Sequence, residues 1–210
     1  RVAETFAEQN HEYIQIPIAK KQGKKTYSIK KVSKKNKQFD FNDSRYVYKI
    51  QEYRHIENLT SISHMRLARS TDGINFSIDD EPTIFPETKY EEWGIEDPRI
   101  TYLEGNYYIT YSAVSHNGVC VGLLKTKNFK TFERLGIIFS PENKDTVIFP
   151  EKINGKYYAY HRPVPTDIGY PEIWLSSSPD LLHWGAHEHI LGSETDNWSV
   201  QKIGAGIPPI

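Results

Sequence analysis

The sequence predicts an all-β protein built from repeated units of about fifty residues. The first observation is a set of short segments, rich in aromatic and β-branched residues and bounded by Gly, Asn or Pro, which is the pattern of strands. The second is an internal repeat at one period. The third is that no stretch of about 12 residues keeps helical periodicity between breakers. The segments that predict strands most clearly are Tyr46–Ile50, Tyr107–Tyr111, Val119–Leu123 and Tyr157–Tyr160.

The composition is that of a folded domain without a disulfide framework. The 210 residues are 38% hydrophobic and 13% aromatic, which argues against disorder. No run approaches the roughly 20 apolar residues that a membrane helix needs. The single cysteine, Cys120, excludes an intramolecular disulfide and a cysteine zinc cage. A net charge of −1 gives no overall attraction to nucleic acid or anionic membranes, so we expect neither as a partner.

Two series of similar segments recur at the fifty-residue period. Gly105–Tyr108 returns as Gly155–Tyr158, 50 residues later. A small polar turn followed by an aromatic residue returns at intervals of 56 and 52, in Ser70–Gly73, Thr126–Phe129 and Ser178–Asp180. Several short strands per unit of this length are typical of β-propeller blades. We therefore predict a β-propeller, with a β-sandwich as the alternative fold.

At this period the chain holds about three to four blades. A closed propeller has at least four. We therefore expect one propeller domain over residues 1–210, truncated at both ends.

A third series places charged residues at equivalent positions, 54 residues apart. Its members are Asp43 with Arg45, Asp97 with Arg99, and Glu151 with Lys152. The innermost strands of propeller blades surround a central funnel, so equivalent residues converge there. Alternating carboxylates and cations in such a funnel predict a polar ligand. Local ion pairing is the alternative for each pair.

Asp97 is the candidate general acid. It follows Trp93–Glu96 and precedes Pro98, and an apolar, aromatic environment favours the protonated form of a carboxyl group. Glycoside cleavage needs such a group to protonate the leaving oxygen. Aromatic side chains that suit stacking on sugar rings, with burial in the core as the alternative for each, are Trp93, Tyr107, Tyr111, Tyr160 and Trp174.

A second group of candidate residues is basic. Lys144 and Arg162, with Arg1, offer cations for an oxyanion, because a guanidinium pairs bidentately with phosphate. The lysine-rich run between residues 20 and 37 is different because it lacks a series of interleaved aromatic residues. We interpret it as a solvated hairpin or insertion, with nucleic-acid binding as the alternative. We predict no metal site. Three histidines cluster near the end of the chain, but no set of carboxylates or cysteines completes a metal site with them, so we interpret them as solvent-facing loop residues: His183, His187 and His189.

In family order and over nearly the whole chain, the motifs resemble those of glycoside hydrolase family 130. They are Gly94–Ile100, Asn143–Asp145, Phe149–Tyr157, His161–Pro163, Ile173–Trp184 and Lys202–Gly206. The resemblance implies a five-bladed propeller that acts on β-mannosides. Most members of that family are inverting phosphorylases that release α-mannose 1-phosphate, and some are hydrolases.

The resemblance also implies roles for individual residues. Asp97 corresponds to the proton donor. The residues that would hold the attacking phosphate are Arg1, Lys144 and Arg162. The residues that would bind substrate are Asp43, Arg45, Glu151 and His64, the last within a segment similar to the branch acting on β-1,2-linked mannosides. Two family elements, expected before Arg1 and after Ile210, are absent from the sequence, and the second carries a phosphate-binding histidine.

These observations lead to the hypothesis of a β-mannoside phosphorylase with inorganic phosphate as co-substrate and no cofactor. We expect β-1,2-linked manno-oligosaccharides as substrates and a cytoplasmic location, because phosphorolysis keeps its product charged within the cell. Homo-oligomerisation stays open. One alternative is a β-1,2-mannosidase in which Glu151 activates water. Another is a non-catalytic sugar-binding propeller, for which Asp97 need not titrate.

Overall fold

Strands form nearly all of the regular structure, as the sequence predicts. The computed structural model describes residues 2–5, 12–20, 26–51, 55–193 and 201–209. Its strands are β1 (Val2–Thr5), β2 (Tyr13–Ala19), β3 (Tyr27–Ser33), β4 (Phe39–Asp40), β5 (Tyr46–Lys49), β6 (His55–Leu59), β7 (Ser61–His64), β8 (Ala68–Arg69), β9 (Ser77–Ile78), β10 (Gly94–Leu103), β11 (Asn106–Ser115), β12 (Gly118–Thr126), β13 (Glu133–Phe139), β14 (Asn143–Ile148), β15 (Tyr157–Pro163), β16 (Ile173–Ser178) and β17 (Gly185–Leu191).

Helical structure in these ranges is confined to one 3₁₀ turn, Lys89–Glu91. None of the described residues belongs to a helix with the length and apolar character needed to cross a membrane. The predicted all-β class is therefore confirmed, and the strands predicted around Tyr46, Tyr107, Val119 and Tyr157 are present as β5, β11, β12 and β15.

The chain forms two compact units, residues 1–96 with 114–117 and residues 97–113 with 118–210. In the first unit β2 and β3 form an antiparallel hairpin, β4, β5 and β6 form a three-stranded sheet, and β8 pairs with β9. Ile14, Ile16, Val32 and Val47 form the buried core of this unit. The described lysines of β3, Lys30 and Lys31, are exposed, which agrees with the predicted solvated hairpin; residues 21–25 of the same run lie outside the described residues.

The second unit contains a four-stranded antiparallel sheet in the order β14-β15-β16-β17. Four consecutive antiparallel strands are the pattern of one propeller blade. The strand order β10-β11-β12-β13 continues the same pattern earlier in the chain. The two sets of strands share a core of buried aliphatic side chains, among them Leu103, Leu123, Ile148 and Ala159. This core fixes β14 and β15, the strands that carry the candidate site.

The repeated small polar turn has one hydrogen-bonding pattern in all three copies. The Ser or Thr hydroxyl at the first position accepts a hydrogen bond from the backbone N–H of the third residue. The third residue is Asp or Asn, and its side-chain oxygen accepts hydrogen bonds from the backbone N–H groups of the fifth and sixth residues. The residues that do this are Ser70 with Asp72, Thr126 with Asn128, and Ser178 with Asp180. These bonds hold the pKa values of the Asp72 and Asp180 carboxyls below their usual range. The repeat is thus a self-capped turn.

The Gly-x-Tyr-Tyr repeat also has a structural explanation. Each copy begins in a two-residue turn whose central residues both have positive φ: Glu104 and Gly105 at 49° and 75°, and Asn154 and Gly155 at 51° and 79°. This is the turn geometry that matches the twist of an antiparallel hairpin. The tyrosines that follow lie in the first residues of β11 and β15.

Candidate functional site

Five charged side chains of the second unit form an ion-pair cluster where β14 begins and β15 ends: Asp97, Arg99, Lys144, Asp145 and Arg162. The strand register places Lys144 directly opposite Arg162. Lys144 Nζ lies 3.3 Å from Asp97 Oδ2. Asp145 bridges two guanidinium groups, with Oδ2 2.7 Å from Arg162 Nη1 and Oδ1 3.2 Å from Arg99 Nη2. Three cations against two carboxylates leave the cluster with a net positive charge.

Two irregular backbone positions bring the carboxylates into the cluster. Asp97 and Asp145 have φ values of 50° and 52°, in the left-handed region that non-glycine residues rarely adopt. The register of β14 against β15 shifts between Lys144 and Val147. Neighbouring side chains of a regular strand point to opposite faces, and a bulge redirects one of them. The irregularity therefore allows both Lys144 and Asp145 to join one cluster.

A later segment of the chain closes the cluster. Arg99 Nη2 donates to the carbonyl oxygen of Ala205 at 3.3 Å. Beside it, a Cβ atom on Gly204 would lie 2.8 Å from Asp145 Oδ2 and 3.0 Å from Arg162 Nη1. The backbone at Gly204 therefore packs directly on the Arg162–Asp145 ion pair, and only glycine fits there without displacing it.

Burial separates the cluster into an inner part and a rim. The Arg162 and Asp145 side chains are 9% and 12% exposed, whereas those of Lys144 and Asp97 are 27% and 30% exposed. Arg99 Nε and Arg162 Nε are buried without a hydrogen-bond partner among the described residues. Buried donors of this kind are normally satisfied, and a guanidinium binds oxyanions well. The arrangement can hold an anion, with a carboxyl group at its accessible edge.

A pair of histidines supports the strands behind the cluster. His161, which precedes Arg162 in β15, is buried, and its ring stacks on Phe139 at a centroid distance of 4.4 Å. Burial, with a smaller contribution from His187, lowers the pKa of His161 to about 4. The neutral ring accepts a bond from the Asn143 amide at 2.9 Å and donates from Nε2 to His187 Nδ1 at 3.1 Å. His187 and His189 lie in β17, so the loop location predicted for them was wrong, although both are exposed.

The first unit contains three of the residues that the sequence assigned to substrate binding. Asp43 Oδ2 and Arg45 Nη2 form a 2.9 Å ion pair, and the Arg45 side chain is 72% exposed. The pairing of neighbours that the sequence left as an alternative is therefore present here. His64 is buried in β7 and its ring packs against Phe85 at 5.9 Å. The substrate-binding roles of these three residues stay predictions.

The third copy of the charged series does not repeat the cluster. Glu151 is exposed in the segment between β14 and β15. Its neighbour Lys152 forms an ion pair with Glu104 at 2.9 Å. This ion pair, together with a hydrogen bond that the Tyr157 hydroxyl donates to Glu104, lowers the pKa of Glu104. Arg1, the third predicted phosphate ligand, lies outside the described residues.

The environment of Asp97 differs from the sequence-based expectation. Apolar neighbours along the chain predicted an aromatic surrounding, but the Asp97 carboxylate faces the Lys144 ammonium. The reason is non-local, since Lys144 belongs to β14 and is distant from Asp97 along the chain. Among the predicted stacking residues, Tyr111 is buried in the core, Tyr107 packs on Phe129, and Trp174 lines a cavity.

Sequence reasoning missed the contribution of Asp145 and Gly204. Asp145 stands within the Asn143–Asp145 motif, but nothing in the sequence indicates that it bridges two arginines. Gly204 lies within the Lys202–Gly206 motif, and the sequence alone assigns it no role. A glycine in a polar segment is a signal of close backbone approach, but the contact partner is visible only in the folded chain.

The second unit therefore combines blade-like antiparallel sheets with a partly exposed carboxylate, that of Asp97, in a cluster of mainly cationic side chains.

Comparison with known proteins gives the family. The model of glycoside hydrolase family 130, described as beta-1,4-mannooligosaccharide phosphorylase, matches residues 13–210. The chain therefore belongs to glycoside hydrolase family 130, and the predicted family is confirmed.

Two curated relatives are similar in sequence. A beta-1,2-mannobiose phosphorylase of Listeria innocua is 40% identical over 210 residues, which is 100% of this chain and 59% of the relative. A 1,2-beta-oligomannan phosphorylase of Thermoanaerobacter is 40% identical over 152 residues, 71% of this chain and 49% of the relative. The chain thus spans between about half and three-fifths of the length of these relatives.

A solved structure extends the likeness to the fold. The complex of the Listeria innocua beta-1,2-mannobiose phosphorylase with beta-1,2-mannobiose matches 100% of this chain and 59% of that chain, with a TM-score of 0.87 at 40% identity. Together with the family assignment, this match confirms that the chain has the β-propeller fold predicted from the repeats.

Proposed function

We propose that the protein cleaves β-1,2-linked mannosides by inverting phosphorolysis and releases α-mannose 1-phosphate. The observation that carries the proposal is the ion-pair cluster, in which the partly exposed Asp97 carboxylate pairs with Lys144, and Lys144 in turn lies opposite Arg162 in the strand register. The β-1,2 linkage is supported by the names of the two relatives at 40% identity. The family model is described by a β-1,4 linkage instead, but it covers the family as a whole.

Lys144 and Arg162 hold the phosphate in this proposal. Arg162 is the more buried of the two and supplies a planar donor set, while Lys144 at the rim supplies a point charge. Asp145 fixes the Arg162 guanidinium through the 2.7 Å ion pair. A phosphate oxygen then attacks the anomeric carbon as the glycosidic bond breaks, and no additional base is needed because phosphate is already anionic.

Asp97 protonates the leaving glycosidic oxygen, directly or through a substrate hydroxyl. Its carboxylate lies 3.3 Å from Lys144, so phosphate and Asp97 compete for the same ammonium.

The main alternative is hydrolysis, in which a second carboxylate must activate water. Glu151, the candidate base, is exposed and does not belong to the ion-pair cluster. The cationic character of the cluster favours phosphate as the nucleophile. We place the reaction in the cytoplasm, because a charged sugar phosphate is retained within the cell.

The test is an incubation of the purified protein with β-1,2-mannobiose, with and without inorganic phosphate, with products separated by chromatography. We expect mannose 1-phosphate only when phosphate is present. Free mannose formed at the same rate without phosphate would replace the proposal with a mannosidase and direct attention to Glu151. If no β-mannoside gave a product, both enzymatic interpretations would be excluded, and a non-catalytic sugar-binding protein would be the interpretation that is left.

A further inference from the structure

The guanidinium group of Arg99 joins three separate segments of the chain around Asp97. Its Nη1 donates to the backbone carbonyl oxygen of Asp97 at 2.7 Å. Its Nη2 donates to Asp145 Oδ1 at 3.2 Å and to the carbonyl oxygen of Ala205 at 3.3 Å. The Arg99 side chain is 19% exposed, and hydrogen bonds from a charged donor are among the stronger ones in proteins. One side chain therefore fixes the backbone at Asp97 relative to β14 and to the segment 201–209.

The backbone at Asp97 needs such support because its conformation is intrinsically unfavourable. Asp97 has a φ of 50° within β10, whereas strand residues have negative φ values. Pro98 follows it, and the residue before a proline is restricted to extended conformations with φ of about −120°. Conformations of this kind persist only where surrounding contacts hold them. The bond from Arg99 to the Asp97 carbonyl oxygen is such a contact.

The same conformation determines the direction of the Asp97 carboxylate. Consecutive side chains of a regular strand alternate between the two faces of the sheet, and a local irregularity redirects one of them. The carboxylate lies 3.3 Å from Lys144 Nζ, at the accessible edge of the ion-pair cluster. A rotation of the Asp97 peptide would carry the carboxylate away from this position.

The contacts of Arg99 suit this role better than they suit phosphate binding. Both terminal nitrogens of its guanidinium donate to oxygens of the protein itself. A planar guanidinium offers several donors in a rigid arrangement, which an ammonium does not. Arg99 therefore holds parts of the chain together, while Lys144 and Arg162 remain the proposed phosphate ligands.

We propose that Arg99 is the positioning residue of the general acid: it holds the left-handed backbone at Asp97 and thereby directs the carboxylate. The inference rests on the proposed function, in which Asp97 protonates the leaving oxygen. It extends that function, because a change at Arg99 then affects the protonation step and not the binding of phosphate.

The test is the kinetics of Arg99→Lys, which keeps a positive charge beside Asp145 but loses the planar group. The substrates are β-1,2-mannobiose and a dinitrophenyl β-mannoside, whose leaving group needs no proton. We expect kcat for mannobiose to fall about 10- to 100-fold, because misplacement of a reacting group by about 1 Å has effects of this size. The rate on the dinitrophenyl substrate and the KM for phosphate should change less than about threefold.

Two further variants control the measurement. Arg134→Lys is the matched control, because Arg134 lies in β13 of the same unit and outside the ion-pair cluster, and we expect wild-type rates on both substrates. In an Asp97→Asn background, Arg99→Lys should cause no further loss on mannobiose, because residues that act through one another are not additive. If Arg99→Lys does not fold, Arg99→Gln, which retains N–H donors, should show the same difference between the substrates.

Wild-type rates in the Arg99 variant, equal losses on both substrates, a raised KM for phosphate or additive losses in the double variant would overturn the positioning role. A wild-type protein that converts neither substrate would overturn the proposed function instead. Crystal structures of wild type and Arg99→Lys then decide the inference: we expect the Asp97 carboxylate of the variant to leave its position 3.3 Å from Lys144 Nζ. An unchanged position would refute it.

Discussion

Replacing Gly204 with alanine tests whether the Arg162–Asp145 ion pair belongs to the phosphate site. The added Cβ would lie 2.8 Å from Asp145 Oδ2, whereas ordinary contacts begin at 3.4 Å, so the pair must give way by 0.6 Å (3.4 − 2.8). The two side chains are only 9% and 12% exposed and have little room to move. Overpacking of this kind costs about 1–3 kcal/mol. If all of it falls on phosphate binding, affinity drops about 5- to 150-fold.

The assay for this variant is the initial rate as a function of phosphate concentration at saturating β-1,2-mannobiose. We expect a higher KM for phosphate, with a smaller change in the KM for the sugar. Gly206→Ala is the control, because a Cβ at Gly206 meets no atom within 4 Å. A Gly204→Ala variant with the phosphate KM of the wild type would refute the assignment of this ion pair to phosphate binding.

Two further predictions concern stability. Asp145→Asn removes the negative charge between two largely buried guanidiniums, which should lower the free energy of unfolding by about 3–5 kcal/mol and Tm by roughly 6–20 °C. The control Asp43→Asn, at a surface ion pair, should leave Tm unchanged. Equal Tm shifts in the two variants would contradict the bridging role of Asp145. The His161 pKa of about 4 lies below its ordinary value of 6.5, so the unfolded chain binds this proton more tightly. The stability from the neutral ring is complete above about pH 6.5 and falls by about 3 kcal/mol as pH drops to 4. Denaturant unfolding at several pH values should show this slope in wild type and a shallower one in His161→Gln; identical slopes would exclude His161 as its source.

Much of the fold could be predicted because its signals are local. A Ser or Thr two residues before Asp or Asn determines a self-capped turn from its own hydrogen bonds, and the three copies share those bonds. The paired positive φ values at Glu104 with Gly105 and at Asn154 with Gly155 likewise follow from turn chemistry. A repeat of such turns is therefore reliable evidence for repeated hairpins.

The candidate site could be predicted only in part because its geometry is non-local. Asp97, Lys144 and Arg162 were found through motifs, and the structure brings these three into one cluster. The irregularity in β14 that turns Asp145 toward the arginines has no sequence signature. The same limit explains the charged series: Asp43 pairs with its own neighbour, whereas Arg99 reaches Asp145.

The rate of Asp97→Asn on two substrates tests most directly whether Asp97 is the general acid. We expect kcat for β-1,2-mannobiose to fall about 10²- to 10⁴-fold with Tm unchanged. A dinitrophenyl β-mannoside, whose leaving group needs no proton, should lose less than about tenfold. Wild-type turnover of mannobiose by this variant, or equal losses on both substrates, would contradict the role of Asp97 as the general acid.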